Sequence, residues 1–149
     1  MLRSILTGTA IVGTLDIVEV IIFYALRGVQ PIRILQGVAA GLLGRDAFRG
    51  GWPVALLGLA LHFTIAFAVV TIYHAASEKL PFLTRHPLIA GTVYGLAVFA
   101  VMNYVVVPMS AAGPANRSWP IVANLLFAHV FCVGIPAALT ARWANVRTP

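Results

Sequence analysis

WPVALLGLALHFTIAFAVVTIYHA, residues 52–75, is a continuous apolar run long enough to cross a bilayer as one α-helix, which takes about 20 residues. Three similar runs occupy residues 4–26, 88–110 and 120–141. None alternates apolar and polar residues as a membrane β-barrel strand does, and helices satisfy their own backbone polar groups in lipid. The sequence therefore predicts an all-α integral membrane four-helix bundle, in a single domain over residues 1–149.

The overall composition supports a membrane location. Hydrophobic residues make up 60% of the chain and charged residues 9%, whereas soluble domains carry about 25% charged residues. The net charge of +6 fits attraction to anionic lipid headgroups, and no nucleic-acid-binding module is visible. The first run is not expected to be a cleavable signal, because Asp16 and Glu19 interrupt it and no small-residue cleavage site follows.

Between the first two predicted spans lies an amphipathic segment at about residues 31–44. Its apolar residues fall at helical spacing and are interrupted by Arg33 and Gln36. We expect a short helix that lies at the membrane interface or dips into the bundle.

The basic residues are divided equally between the two predicted membrane faces of the bundle. One face is predicted to carry Arg3, Lys79, Arg85, Arg142 and Arg147, and the other Arg27, Arg33, Arg45, Arg49 and Arg117. The positive-inside rule thus favours neither face by count. Cytoplasmic termini are preferred, because the basic residues on their face lie close to span ends.

An internal similarity links the second and fourth predicted spans. Trp52-Pro53 and Trp119-Pro120 open them, and His62 and His129 follow each tryptophan by ten residues. Interfacial tryptophan and first-turn proline are common in membrane helices, so one interpretation is that the similarity is coincidental. The alternative is a tandem duplication that places the two histidines at one depth on parallel helices.

Helix geometry predicts a buried polar cluster. Counted inward at about 1.5 Å per residue, Asp16, His62 and His129 each lie about 15 Å from the same membrane face. The predicted cluster consists of Asp16, Glu19, His62, Asn103 and His129. Residues expected to line the same region are Tyr73, Tyr104, Asn124 and Cys132.

Several roles for this cluster are open, because ionisable residues inside a membrane are costly and usually have partners. They could simply hold the helices in register, or relay protons. A divalent metal such as Zn, Fe or Mn could bind to His62, His129, Asp16 and Glu19. Haem b could be held between His62 and His129.

Other features favour packing over chemistry. The pairs Gly37 with Gly41 and Gly91 with Gly95 have the spacing of small-residue helix contacts, and Pro136 is expected to bend the fourth span. His74 and His86 are expected near the membrane surface. Serines lie near span ends or in loops, so no hydrolase triad is expected.

From His62 to the end, the segments LHFTIAFAVVTIY, EKLP, LIAGTVYG and LLFAHVF resemble small bacterial inner-membrane proteins of the YagU type. The resemblance covers the last three predicted spans and implies a multi-pass bacterial cytoplasmic-membrane protein. That family has no assigned activity, so the resemblance adds nothing about chemistry.

The favoured hypothesis is a non-enzymatic membrane protein whose cluster binds or relays a cation or proton, with Asp16 and His62 as the exchanging pair. Two alternatives stay open: an accessory subunit of a larger membrane complex, and a haem or metal redox protein. The expected partners are the lipid bilayer and, in addition, other membrane subunits or further copies of the chain.

Overall fold

The computed structural model describes residues 2–113 and 118–146. Over these residues the chain is helical apart from short connections, and it contains no β-strand. Four stretches are long and apolar enough to cross a membrane: span 1 (Leu2–Ala25), span 2 (Gly51–Lys79), span 3 (Pro87–Met109) and span 4 (Trp119–Ala144). The predicted all-α membrane bundle is confirmed. Span 2 continues to Lys79, past the predicted end at residue 75.

The spans contain more than regular α-helix. The α-helices are α1 (Leu2–Ala25), α2 (Pro31–Leu43), α3 (Gly51–Lys79), α4 (Phe82–Arg85), α5 (Pro87–Val101), α6 (Val107–Met109), α7 (Trp119–Phe127) and α8 (Ile135–Val146). A 3₁₀ turn (Gly44–Arg49) follows α2. A first π segment (Met102–Val106) interrupts span 3, and a second π segment (Ala128–Gly134) interrupts span 4.

Cross-span contacts give the directions of the spans. Gly91 of span 3 lies against Ile135 of span 4, and Gly95 lies against the earlier residue His129, so these spans run antiparallel. Span 1 meets Val70 at Gly8 and Phe63 at Gly13, so it runs antiparallel to span 2. It meets Thr140 at Gly8 and Asn124 at Glu19, so it also runs antiparallel to span 4. Spans 2 and 4 are therefore parallel, in agreement with the 3.4 Å contact between His74 Nε2 and Thr140 Oγ1. Parallel packing therefore brings His62 and His129 to one depth.

Glycines permit a close contact between spans 3 and 4. A Cβ atom at Gly95 would overlap the carbonyl oxygen of His129, and one at Gly134 would overlap that of Gly91. The expected packing role of Gly91 and Gly95 is confirmed. The same expectation for Gly37 is wrong, since a Cβ atom there would have no neighbour within 4 Å.

The segment between spans 1 and 2 dips into the bundle. A Cβ atom at Gly58 of span 2 would overlap the carbonyl oxygen of Leu35 in α2, and Gln36 Nε2 donates to Gly51 O at 3.1 Å. In the last turn of α2, Gly41 O accepts a hydrogen bond from Ala111 N, which follows span 3, at 3.0 Å. The helix therefore packs through its Leu35 and Ala39 side, which explains why Gly37 has no helix beside it.

We expect Gly58→Ala to displace α2. The added methyl group meets backbone atoms, which cannot rotate away as a side chain can, and overpacking of this kind costs about 1–3 kcal/mol. In a Cys132→Ser background, maleimide labelling of a cysteine placed at the buried residue Leu35 should accelerate by about 10-fold. Gly37→Ala is the control and should leave labelling unchanged. Equal labelling rates with and without Gly58→Ala would contradict the docking of α2.

The outer surface of the bundle is apolar. Large hydrophobic side chains are exposed on every span, among them Leu15, Val18, Ile22, Leu56, Ile72, Leu88, Val93 and Phe131. The interior instead holds small side chains around Val70 and Tyr73. An apolar exterior of this extent requires a lipid environment, so the bilayer is confirmed as the surroundings of the protein.

Candidate functional site

A cavity of about 220 Å³ lies between the four spans and α2, and we call it the central cavity. Its lining is largely apolar, with Val12, Val69 and Val98 from the spans and Ile34 and Val38 from α2. The polar side chains that line it are Asp16, His62, Asn103 and His129. Four of the five residues in the predicted cluster thus share one cavity, although they come from four different spans.

Asp16 and His62 face each other across the contact between spans 1 and 2. His62 Nδ1 lies 3.9 Å from Asp16 Oδ2, and the two side chains are 12% and 21% exposed. The other ring nitrogen, His62 Nε2, lies 2.8 Å from the carbonyl oxygen of Gly13. Both nitrogens of this histidine therefore point at oxygen atoms of span 1.

The Gly13 contact determines which nitrogen of His62 faces Asp16 with its lone pair. A carbonyl oxygen only accepts, so His62 Nε2 must carry the hydrogen that it donates to Gly13. In the neutral ring Nδ1 is then the acceptor, and it lies 3.9 Å from Asp16 Oδ2. A carboxyl group and an imidazole acceptor thus face each other between spans 1 and 2.

His129 and Asn103 lie in the two π segments. His129 Nδ1 donates to Leu125 O at 2.8 Å, which leaves Nε2 as the acceptor of the neutral ring. Asn103 Nδ2 donates to Phe99 O at 2.9 Å. The Phe99 ring packs edge-on against His129, with 5.8 Å between the ring centroids. Both polar side chains are therefore anchored to the preceding turn of their own helix.

The π segments have a common cause. The first ends at Val106 and the second at Gly134, and in each case a proline, Pro108 or Pro136, follows two residues later. Proline lacks the N–H that would bond the carbonyl four residues earlier, and its ring crowds that carbonyl, so the preceding turn widens. The bend expected at Pro136 thus takes the form of a π turn that carries His129, in keeping with the frequency of π turns at functional sites.

Glu19, the fifth residue of the predicted cluster, has a different partner. Its Oε2 accepts a hydrogen bond from Asn124 Nδ2 at 3.3 Å, which joins span 1 to span 4. Glu19 also interacts electrostatically with Asp16. The Glu19–Asn124 pair therefore extends the polar region from the central cavity towards the end of span 1.

No family model, curated protein or solved structure matches this chain. Its function is therefore inferred from the central cavity and from the residues around it.

None of the four further residues expected in this region lines the central cavity itself, and two of them, Tyr73 and Tyr104, lie away from it. Tyr73 is buried in the core, where its OH donates to Leu83 O at 3.0 Å and its ring packs on Tyr94. Tyr104 is 62% exposed on the outside of the bundle. Asn124 lies in the predicted polar region through its hydrogen bond to Glu19, and Cys132 is half-buried one turn after His129.

A buried histidine was not anticipated. His74, expected near the membrane surface, is 4% exposed and lies against Thr140 of span 4. Its spacing from Ala66 and Val70 is the signal that could have revealed it, because the three residues follow one another at intervals of four on one side of the helix and all three are buried. Span 2 therefore carries a second histidine inside the bundle.

The geometry bears directly on the metal and haem alternatives. Among residues 2–113 and 118–146, no group of three or more His, Cys, Asp and Glu side chains is placed to hold a metal ion, since Glu19 turns to Asn124. The cavity volume of about 220 Å³ is also below the range of about 300–1,000 Å³ that accommodates drug-sized ligands. This space suits protons, water or another very small solute better than a macrocycle.

Proposed function

We propose that this multi-pass membrane protein binds and relays protons through the central cavity, with Asp16 and His62 as the exchanging pair. The observation that carries the proposal is the 3.9 Å approach of His62 Nδ1 to Asp16 Oδ2 within two membrane spans. Ionisable groups at this depth are costly to keep and typically mark ion or proton pathways.

The other polar groups supply a route away from the pair. His129 lines the same cavity and lies close enough to Asp16 for their charges to interact. Its Nε2 can receive a proton, because Nδ1 is held by Leu125 O. Transfer across the 3.9 Å gap needs a small side-chain rotation or one bridging water, since direct hydrogen bonds are about 2.7–3.2 Å long.

Protons are favoured over metal cations as the transported species. A hard cation needs several oxygen ligands at once, whereas the central cavity offers one carboxyl group and the side-chain amide of Asn103. A proton needs only a donor and an acceptor in reach, which Asp16 and His62 provide.

The proposed location is the bacterial cytoplasmic membrane with cytoplasmic termini. The YagU-type resemblance supports the membrane, and Lys79, Arg85 and Arg142 near span ends support the orientation. Arg117 and Arg147, which enter the predicted charge count, lie outside the described residues.

Proton flux in liposomes tests the proposed function. The purified chain is reconstituted into vesicles that contain a pH-sensitive dye, and a pH gradient is imposed with valinomycin and K⁺ present to cancel charge build-up. Vesicles with protein should lose the gradient faster than protein-free vesicles, in proportion to protein content. Equal rates would overturn proton relay and favour the alternative of an accessory subunit in which the cluster only holds helices together.

A further inference from the structure

A second pocket lies outside the central cavity, where the end of span 1 meets α2 and the 3₁₀ turn. Its volume is about 670 Å³. The residues that line it include Gln36, Phe48 and the two arginines Arg33 and Arg49. All of the lining residues are described by the structure, and none of them is acidic. We call it the basic pocket, because its only formal charges are positive.

Gln36, one of the residues that line the basic pocket, carries an unsatisfied buried acceptor. The residue is 3% exposed, and its Nε2 donates to Gly51 O at 3.1 Å. The Gly51 carbonyl can only accept, so the amide orientation is determined and Oε1 is left without a hydrogen-bond partner. Buried acceptors of this kind are uncommon in folded proteins. A ligand that carries a donor would satisfy Gln36 Oε1.

The arginines define the other half of the ligand. Arg33 Nη1 donates to Phe48 O at 3.2 Å, and the guanidinium carbon lies 5.2 Å from the centre of the Phe48 ring. These contacts hold the guanidinium in place while its further N–H groups remain for a ligand. Gln30, which directly precedes α2, and Ile32 in its first turn also line the pocket, so the positive end of that helix adds to the attraction for anions.

We propose that the basic pocket binds the headgroup of an anionic phospholipid that carries a hydroxyl donor, as phosphatidylglycerol does. The phosphate diester is placed on Arg33 and Arg49, which suit phosphate because of their planar donors, and the glycerol hydroxyl on Gln36 Oε1. Soluble glycerol 3-phosphate shares this chemistry. A lipid is favoured because the pocket adjoins the end of a membrane span, with Val29 and Ile32 at its edge.

Lipid titration by native mass spectrometry of the detergent-purified protein tests this site. The wild-type chain should bind phosphatidylglycerol more tightly than phosphatidylcholine. Arg33→Gln and Arg49→Gln should each raise the Kd for phosphatidylglycerol by about 10-fold, the loss expected for one hydrogen bond to a charged group. Arg45→Gln is the matched control, because Arg45 is exposed in the same 3₁₀ turn but does not line the pocket. An equal loss in Arg45→Gln would overturn the site.

The hydroxyl contact has its own test. Phosphatidylmethanol has the same phosphate diester but no hydroxyl donor, so the wild-type chain should prefer phosphatidylglycerol and Gln36→Met should lose that preference. A preference unchanged in Gln36→Met would overturn the role of Gln36. If Gln36→Met does not fold, the arginine variants still decide the site. Displacement of the lipid by an equal concentration of glycerol 3-phosphate or inorganic phosphate would overturn the lipid assignment in favour of a soluble phosphate compound.

Discussion

Asp16→Asn is expected to reduce proton flux through protein-containing liposomes to the rate of protein-free vesicles. Asparagine keeps the shape of the side chain but cannot take up or release a proton. His62 Nδ1 then has no exchange partner at 3.9 Å, and the proposed pair is lost. The variant should still insert and elute at the wild-type size, because the outer apolar surface is unchanged.

Two further variants provide a control for Asp16→Asn and test the other member of the pair. Asp46→Asn is the matched control, since Asp46 is an exposed carboxylate in the 3₁₀ turn and should leave flux unchanged. His62→Gln should abolish flux as Asp16→Asn does, because the two residues act as one unit. Undiminished flux in Asp16→Asn would contradict the assigned pair, even if the protein conducts protons by another route.

Gly134→Ala is expected to have the largest effect on stability, about 3 kcal/mol, at the upper end of the usual range for overpacking. The added Cβ atom would overlap Gly91 O and lie 2.6 Å from Gly95 N and 2.7 Å from Gly95 Cα. All three are backbone atoms, so spans 3 and 4 must separate. The free energy of unfolding in mixed micelles, measured by sodium dodecyl sulfate titration, reports the change.

Gly37→Ala provides the comparison, because the same substitution there meets no atom within 4 Å. Alanine is the better helix former by about 0.5–1 kcal/mol, so this variant should be as stable as the wild type or slightly more so. If both variants had the same stability, the close contact between spans 3 and 4 would be refuted.

Much of the fold is readable from the sequence. The four spans follow from uninterrupted apolar runs, because hydrocarbon leaves helices as the natural way to pair the backbone. The depth of Asp16, His62 and His129 also follows, since an up-and-down bundle with a constant rise per residue determines height from residue number alone.

Whether a residue on the predicted side of a helix reaches the cavity is harder to predict, as Tyr73 illustrates. Tyr73 lies on nearly the same side of span 2 as His62, but about 16 Å further along the helix at 1.5 Å per residue. The central cavity extends along this side only through Val69, whose carbonyl oxygen accepts a hydrogen bond from Tyr94 OH at 2.7 Å. The Tyr73–Tyr94 pair therefore occupies the bundle core beyond the cavity. Where a cavity ends depends on side chains from several helices, and a single-helix pattern does not contain that information.

The π segments show a second limit. Pro108 and Pro136 are visible in the sequence and predict a distortion, but not whether the helix bends or widens. Which of the two distortions forms depends on the neighbouring span. In span 4 the second π segment packs directly against the backbone of span 3, because Gly95 lies against the carbonyl oxygen of His129. The presence of His129 in the buried cluster was predicted from its depth, whereas the π turn that carries it was not.

The protonation of His62 in bilayers is the most direct test of the proposed pair. Solid-state NMR of the ¹⁵N-histidine-labelled protein resolves the two ring nitrogens, and His62→Gln identifies the signal among the four histidines. We predict a ring that carries its hydrogen on Nε2, where it meets Gly13 O, and an Nδ1 chemical shift that changes in Asp16→Asn. A ring with its hydrogen on Nδ1 and none on Nε2, or an Nδ1 signal unchanged by Asp16→Asn, would contradict the proposed pair.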